Sequence, residues 1–341
     1  MISTISIKKD LKVVFFNRKP RPFGTFSMEN IYNFVRTNMP PHVTTENRVA
    51  KYSSNGVLKR LYIALEAAFQ QGDVNHVTGD VHFLTVFMNP RRTILTVHDI
   101  GVMEGRSNLF KFLYKTFFLK IPMDRAAYVT TVSEATKKEL LKNVDYPPEK
   151  IKVIYNPAFG GYHRVNKKFN SVKPTILHVG MAPNKNFFRL VEALEGIDCH
   201  LAVVGKLDES HIEKLKQHQV DYSSVCNISN EEMVAQYEQC DLLAFASTLE
   251  GFGMPIIEAN MVGRPVVTSN ISSMPEIAGD AACLVDPYDI ASIRNGIQKI
   301  ILDEKYRNQL IENGFKNCER FKPEKIVDDY YQLYLDVYNK N

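Results

Sequence analysis

Tryptophan is absent, and no cysteine occurs before Cys199. The five cysteines, at 199, 226, 240, 283 and 318, form no C-x-x-C pair and no His/Cys pattern at metal-ligand spacing. A disulfide framework is therefore not expected, and the cysteines read as small buried hydrophobes in a reducing compartment. Also missing is any apolar run long enough to cross a membrane. Met1–Asp10 carries isoleucines but no apolar core of signal-peptide length. Cytoplasmic residence is the expectation. There is no internal repeat and no low-complexity tract. A chain of 341 residues is long enough for two domains that each bury a core.

Charge is unevenly spread. Residues 1–170 hold 26 Lys/Arg against 13 Asp/Glu, which leaves 16 against 25 for the remainder, so the halves carry +13 and −9 within a net +4. Such a division points to an anionic partner for the first half, among membrane surface, phosphorylated acceptor and nucleic acid, or to a solvated basic face. No nucleic-acid recognition motif accompanies it.

Short apolar runs alternate with helical patterns along the whole chain, which predicts parallel, doubly wound α/β sheets. Leu11–Phe16, Val74–Thr78, Thr93–Val97, Ala127–Val132 and Ile151–Tyr155 read as strands of a first sheet. Ser27 is placed to cap the helix after the first of them, and Val57–Phe69 reads as a helix with a wide apolar face. His98 and Asp99 follow the third strand, beyond the carboxyl ends of the strands where ligands collect in such folds. From Asn108 to Ile121 the apolar residues Phe110, Leu113, Tyr114, Phe117, Phe118 and Ile121 recur at helical spacing, with Lys111, Lys115 and Lys120 off the stripe. That stripe packs on its own sheet in the simpler reading; Phe112 and Leu119 outside it keep open a second, in which the helix lies on a membrane interface. Asn156–Ser171 reads as the connection between domains. Strands of a second sheet are expected at Thr175–Gly180, His200–Val204, Val225–Ile228, Leu242–Ala246, Pro265–Thr268 and Cys283–Val285.

The stretch Thr248–Glu258, T-L-E-G-F-G-M-P-I-I-E, organises the second half. It joins a buried strand to a helix through Gly251 and Gly253, which allow close approach of backbone amides to a ligand, and the helix start favours negative charge. Glu250 and Glu258 bracket the turn and can accept hydrogen bonds from hydroxyls. Amides for phosphate and carboxylates for hydroxyls together suggest a sugar nucleotide.

E-G-F-G-M-P-I-I-E, continued by A-N-M-V-G-R-P-V-V-T-S-N and S-S-M-P-E-I-A-G-D-A-A-C-L-V-D-P, resembles the donor-site signature of retaining GT-B glycosyltransferases of family 4 over roughly forty residues. V-T-T-V-S-E-A-T-K-K-E-L-L followed by P-E-K-I-K-V-I-Y-N-P resembles the end of that family's N-terminal domain. The resemblance implies two Rossmann-like domains facing across a cleft. An acceptor-binding domain would span 1–165 and a nucleotide-sugar-binding domain 172–322, with the helix 323–341 packing back on the first.

It implies further that Lys185 contacts the diphosphate, Glu250 the donor sugar and Glu258 the ribose. The backbone of Phe252, Gly253 and Met254 would supply amides, and His98 would face the sugar. Gly180, Asn184, Gly205, Lys206 and Gly251 complete the implied donor set, with Gly24 matching a first glycine loop. The family's usual basic partner of Lys185 is missing, because Met181 and Asn184 stand in its places; Arg189, Lys206 or a backbone donor is expected to compensate. A D-x-D cluster for a divalent ion is absent, so no metal or other cofactor is expected.

The function so implied is retaining transfer of a hexose, mannose-type favoured, from a nucleotide sugar to a polysaccharide or lipid-linked glycan at the inner membrane face. A non-catalytic scaffold and a nucleotide-sugar epimerase are the alternatives the same fold allows.

Overall fold

The structure is a computed structural model that describes residues 11–19, 27–103 and 105–341. Gly24 and the side chain of Ser27 lie outside the described residues. The chain divides into two compact units, Met1–Tyr155 with Glu324–Asn341, and Asn156–Pro323.

The first unit carries a six-stranded sheet of β1 (Leu11–Asn17), β2 (Val43–Val49), β3 (Val74–Val77), β4 (Thr93–Val97), β5 (Tyr128–Thr131) and β6 (Ile151–Val153). The spatial order is β2-β1-β3-β4-β5-β6, and all pairs are parallel. β1, β3 and β4 are buried along almost their whole length, as their apolar runs require. β2 was not expected. Its sequence, V-T-T-E-N-R-V, is polar because it is an edge strand and only Val43 is buried.

The second unit repeats the plan with β7 (Thr175–Val179), β8 (His200–Val204), β9 (Asp221–Val225), β10 (Leu242–Phe245), β11 (Val266–Ser269) and β12 (Cys283–Val285). The order β12-β11-β10-β7-β8-β9, again all parallel, is the doubly wound order of dinucleotide-binding sheets. β9 corrects the expected strand at Val225–Ile228. The edge strand begins four residues earlier, in the polar run D-Y-S-S, which an apolar pattern does not reveal.

Asn156–Ser171 belongs to the second unit. The Ala158 amide donates to the Phe321 carbonyl at 2.8 Å, and buried Asp241 accepts from the Asn170 and Thr175 amides at 3.2 and 2.8 Å and pairs with Lys167.

The terminal helix Pro323–Asn339 places Ile326, Tyr330, Leu333, Tyr334 and Val337 inside the first unit. Tyr334 and Thr96 hydroxyls each lie 2.8 Å from a ring nitrogen of buried His76, and Thr96 continues to Thr130 at 2.6 Å. The Tyr330 hydroxyl lies 3.3 Å from that of Tyr32 in the first helix, Ser27–Thr37. Burial pushes His76 down to about 3, with nearby His98 adding to the effect. His76 is therefore neutral at physiological pH, one nitrogen donating and the other accepting.

The segment after Ser107 is one rod: an α-helix over Asn108–Tyr114, a π-helical stretch over Lys115–Lys120 and an α-helical turn over Ile121–Asp124. Burial along it departs from the expected stripe. Leu119, Pro122 and Met123 are buried, whereas Phe110, Leu113 and Phe117 are exposed. The wider π turn rotates the inward face away from the stripe that a uniform 3.6-residue period gives.

Candidate donor site

The strand order of the second sheet reverses between β7 and β10, so the carboxyl ends of those two strands form the switch point at which such sheets take their ligands. The loops that follow them carry Lys185 and Glu250. Lys185 Nζ lies 2.6 Å from Glu250 Oε1, and both side chains are mostly shielded, at 20% and 15% exposure. The ammonium also sits over the Phe245 ring, 4.8 Å from its centroid. A cation and a carboxylate are thus paired at the position where a doubly wound sheet binds its ligand.

Gly180 ends β7 with φ +90°, and a Cβ there would stand 3.0 Å from Lys185 Cε. The glycine accommodates both the left-handed turn and the lysine stem lying across it. The loop is then tied to the end of β10. The Thr248 amide donates to the Asn184 carbonyl at 2.8 Å, and Asn184 Nδ2 donates to the Leu249 carbonyl at 2.8 Å and reaches Glu250 Oε1 at 3.4 Å. Asn184 therefore braces the Glu250 turn.

Asn186, whose role the sequence did not disclose, adopts φ 62° and donates both Nδ2 hydrogens, to the Ala246 and Pro287 carbonyls at 2.9 and 2.7 Å. Its Oδ1 accepts from Arg189, whose guanidinium lies on the Tyr288 ring. Arg189 is thereby committed to the loop's architecture. Lys206 is exposed beside Gly205, where a Cβ would stand 2.4 Å from Met181 Cγ.

The Glu250 turn is held from the far side by Ser272 and Ser273. Ser272 Oγ accepts from the Glu250 amide at 3.1 Å and donates to its carbonyl at 2.7 Å. The buried Ser273 hydroxyl lies 2.9 and 2.7 Å from the carbonyls of Glu250 and Phe252. The S-S-M-P-E motif thus shapes the loop before it. Phe252 is buried with its ring edge-on to Phe321, and Gly253, φ +113°, opens the helix Met254–Val262. Gly251 is half-buried between them.

Glu258 sits in the second turn of that helix, half-buried. Tyr237 donates to its Oε2 at 2.6 Å, and Tyr162, edge-on to Tyr237, hydrogen-bonds to it as well. Burial raises the Glu258 pKa, while Tyr237, the charge of Lys185 and Tyr162 pull it back down. Neither tyrosine carried a signal in the sequence, because both meet Glu258 only through the tertiary fold. Phenols that donate to a carboxylate favour its ionised form. Tyr237→Phe is accordingly expected to shift the acid limb of nucleoside diphosphate binding to higher pH, read by calorimetric titration at several pH values; an unmoved limb would show that Tyr237 only packs.

His98 follows β4 in the first unit. Its Nε2 donates to the Thr78 carbonyl at 2.9 Å, its own carbonyl accepts from Thr136 Oγ1 at 3.3 Å, and the Tyr32 ring lies edge-on to it. These contacts fix the ring and its tautomer and leave Nδ1 for a ligand. Asp99 does not pair with His98; its carboxylate caps the next turn by accepting from the Gly101 amide at 2.9 Å. At the neighbouring strand ends Arg18 bridges Glu29 and Asp80, each at 2.9 Å.

Two doubly wound units, the second with the Lys185–Glu250 pair at its switch point, define a doubly wound α/β protein. Residues 163–317 match the family described as Glycosyl transferases group 1, and residues 12–158 match Glycosyltransferase Family 4. The chain is 28% identical over 275 residues to the O-antigen chain mannosyltransferase RfbU of Salmonella typhimurium, covering 76% of each. It is 23% identical to the O-antigen chain mannosyltransferase B of Escherichia coli, over 71% of this chain and 70% of that one. A crystal structure of Anabaena HepE in complex with UDP-glucose superimposes with a TM-score of 0.75 at 17% identity, over 96% of this chain and all of that one. The protein belongs to the group 1 glycosyltransferases of family 4, with the GT-B fold.

Proposed function

We propose that this chain is a retaining hexosyltransferase that moves a hexose, mannose-type favoured, from a nucleoside-diphosphate sugar to a polysaccharide or lipid-linked glycan. The observation that carries the reading is the Lys185–Glu250 pair at the switch point of the second sheet. The O-antigen mannosyltransferases among its relatives support the sugar and the kind of acceptor.

In this reading Lys185 places positive charge on the departing diphosphate, the largest charge to develop in the reaction. Glu250 accepts from the sugar hydroxyls and supports the positive charge at the ring, and Glu258 accepts from the ribose. The amides of the turn Phe252–Met254 serve the phosphates and sugar, with the dipole of the following helix adding its sign. His98 is kept in this reading as a catalytic residue, its ring held by Thr78 and its Nδ1 left for substrate. Glu250 and Glu258 bind; they are not an acid and nucleophile pair of the glycosidase kind. The leaving phosphate takes the acceptor proton on the face it vacates, so the chemistry calls for no metal or other cofactor. The enzyme works at the cytoplasmic face of the membrane; no described helix is long and apolar enough to cross it.

The test is to incubate purified protein with GDP- and UDP-linked hexoses, with and without a polyisoprenyl-diphosphate glycan. Nucleoside diphosphate should appear only with acceptor present, and the new linkage should keep the donor's anomeric configuration by nuclear magnetic resonance. Inversion would overturn the retaining assignment, and turnover without acceptor would overturn the transfer.

A further inference from the structure

The strap Asn156–Ser171 of the second unit brings one side chain to Glu258. Gly160 and Gly161 have φ +112° and +80°, and a Cβ on Gly160 would stand 3.1 Å from Tyr162 Cε2. Two left-handed glycines thus fold the Tyr162 ring back onto the unit, where it meets Tyr237 edge-on at 5.5 Å between centroids. The strap is pinned on either side of this ring. The Ala158 amide donates to the Phe321 carbonyl at 2.8 Å, the Val165 amide to the Val262 carbonyl at 3.2 Å, and Arg264 Nη1 to the Val165 carbonyl at 3.4 Å. Val262 ends the helix that carries Glu258, so strap and helix are tied together.

Two phenols converge on the Glu258 carboxylate. Tyr237, fully buried, donates to Oε2 at 2.6 Å from within the core, and Tyr162, half-buried, reaches the same carboxylate from the strap. The charge of Lys185 also acts on Glu258, which places the carboxylate in the same site as the Lys185–Glu250 pair. A carboxylate offers about four lone-pair sites. With two given to phenols, the remaining pair matches the donors of a vicinal diol. The terminal torsion of a glutamate is broad, and a free carboxylate turns about it. One held by two phenols keeps a single orientation, so its open lone pairs are aimed before a ligand arrives. Phenylalanine would pack on Tyr237 as tyrosine does; what the Tyr162 hydroxyl adds is the contact with Glu258.

We propose that Tyr162 is a positioning residue for the nucleotide: acting through Glu258, it aims the carboxylate at the 2′- and 3′-hydroxyls of a ribose and so sets a preference for ribonucleoside diphosphates. The proposal rests on the reading of Glu258 as the ribose acceptor and adds the residue that makes this acceptor selective.

The experiment measures, by calorimetric titration, the affinities of GDP and UDP and of their 2′,3′-dideoxy counterparts for the parent, Tyr162→Phe and Glu258→Ala. The parent should hold the ribose form of its preferred diphosphate about thirtyfold or more tighter than the dideoxy form, because hydrogen bonds to a charged group are at stake. Tyr162→Phe should cut that ratio by about fivefold to tenfold and leave affinity for the dideoxy form within about twofold of the parent's. Glu258→Ala should abolish the preference. The ratio is internal to each protein, so a loss of stability in a variant does not imitate the effect. A parental ratio in Tyr162→Phe, including one reached by an equal fall in both affinities, would overturn the role of Tyr162 and leave the ribose reading of Glu258 standing. A parent indifferent to the two hydroxyls, or a preference that survives in Glu258→Ala, would overturn that reading and the proposal with it.

Discussion

Glu250→Ala is expected to lower kcat by about a hundredfold to a thousandfold, the range found when one preorganised charge-stabilising group is removed from an active site. The same variant should bind nucleoside diphosphate at least as tightly as the parent. Glu250 holds the Lys185 ammonium at 2.6 Å and competes with any phosphate for it. Removing the carboxylate frees the cation while removing the group that faces the sugar, so turnover and diphosphate affinity move in opposite directions. A stopped assay of diphosphate release, with calorimetry on the same preparation, reads both. Parallel loss of turnover and diphosphate affinity would mean that Glu250 serves chiefly to shape the loop.

The largest expected effect on stability comes from Tyr334→Ala. It empties the volume of a fully buried ring packed among Phe15, His76 and Tyr330 and removes the hydroxyl 2.8 Å from His76 Nδ1. Cavity formation and an orphaned buried nitrogen together cost about 3–5 kcal/mol, which denaturant titration measures. Tyr334→Phe keeps the ring and should cost about 1–3 kcal/mol, the price of an unsatisfied buried group.

His76, the hydrogen-bond partner of Tyr334, sets a pH dependence. The folded pKa of His76 is depressed to about 3 from the ordinary 6.5, so the unfolded chain takes up a proton that the folded one refuses. Its contribution is complete above 6.5 and is lost as pH falls toward 3, at about 1.4 kcal/mol per pH unit. His76→Gln should flatten that part of the stability profile; an unchanged slope would show that other groups govern the acid limb.

Much of this was legible in the sequence because buried parallel strands write themselves as apolar runs. β4, β8 and β12 stand where those runs lie, and Lys185 and Glu250 sit in motifs that are visible in the sequence. What the sequence pattern does not carry is long-range or exposed. β2 and β9 are edge strands whose polar faces show no run. Ser272 and Ser273 stood in a quoted motif, yet their task is visible only when Ser273 comes within 2.9 Å of a carbonyl 23 residues earlier. Asn186 and Tyr237 likewise act across the fold, and the π turn after Tyr114 is not encoded in the apolar spacing of its helix.

The central claim is that the pair at the second sheet's switch point is a diphosphate site. Thermal melting of the parent and of Lys185→Ala in the presence of GDP, UDP and ADP tests it most directly, since a ligand that binds only the folded protein must raise its melting temperature. One of the diphosphates should raise the parent by several degrees and leave Lys185→Ala almost unmoved. An equal rise in both proteins would contradict the account.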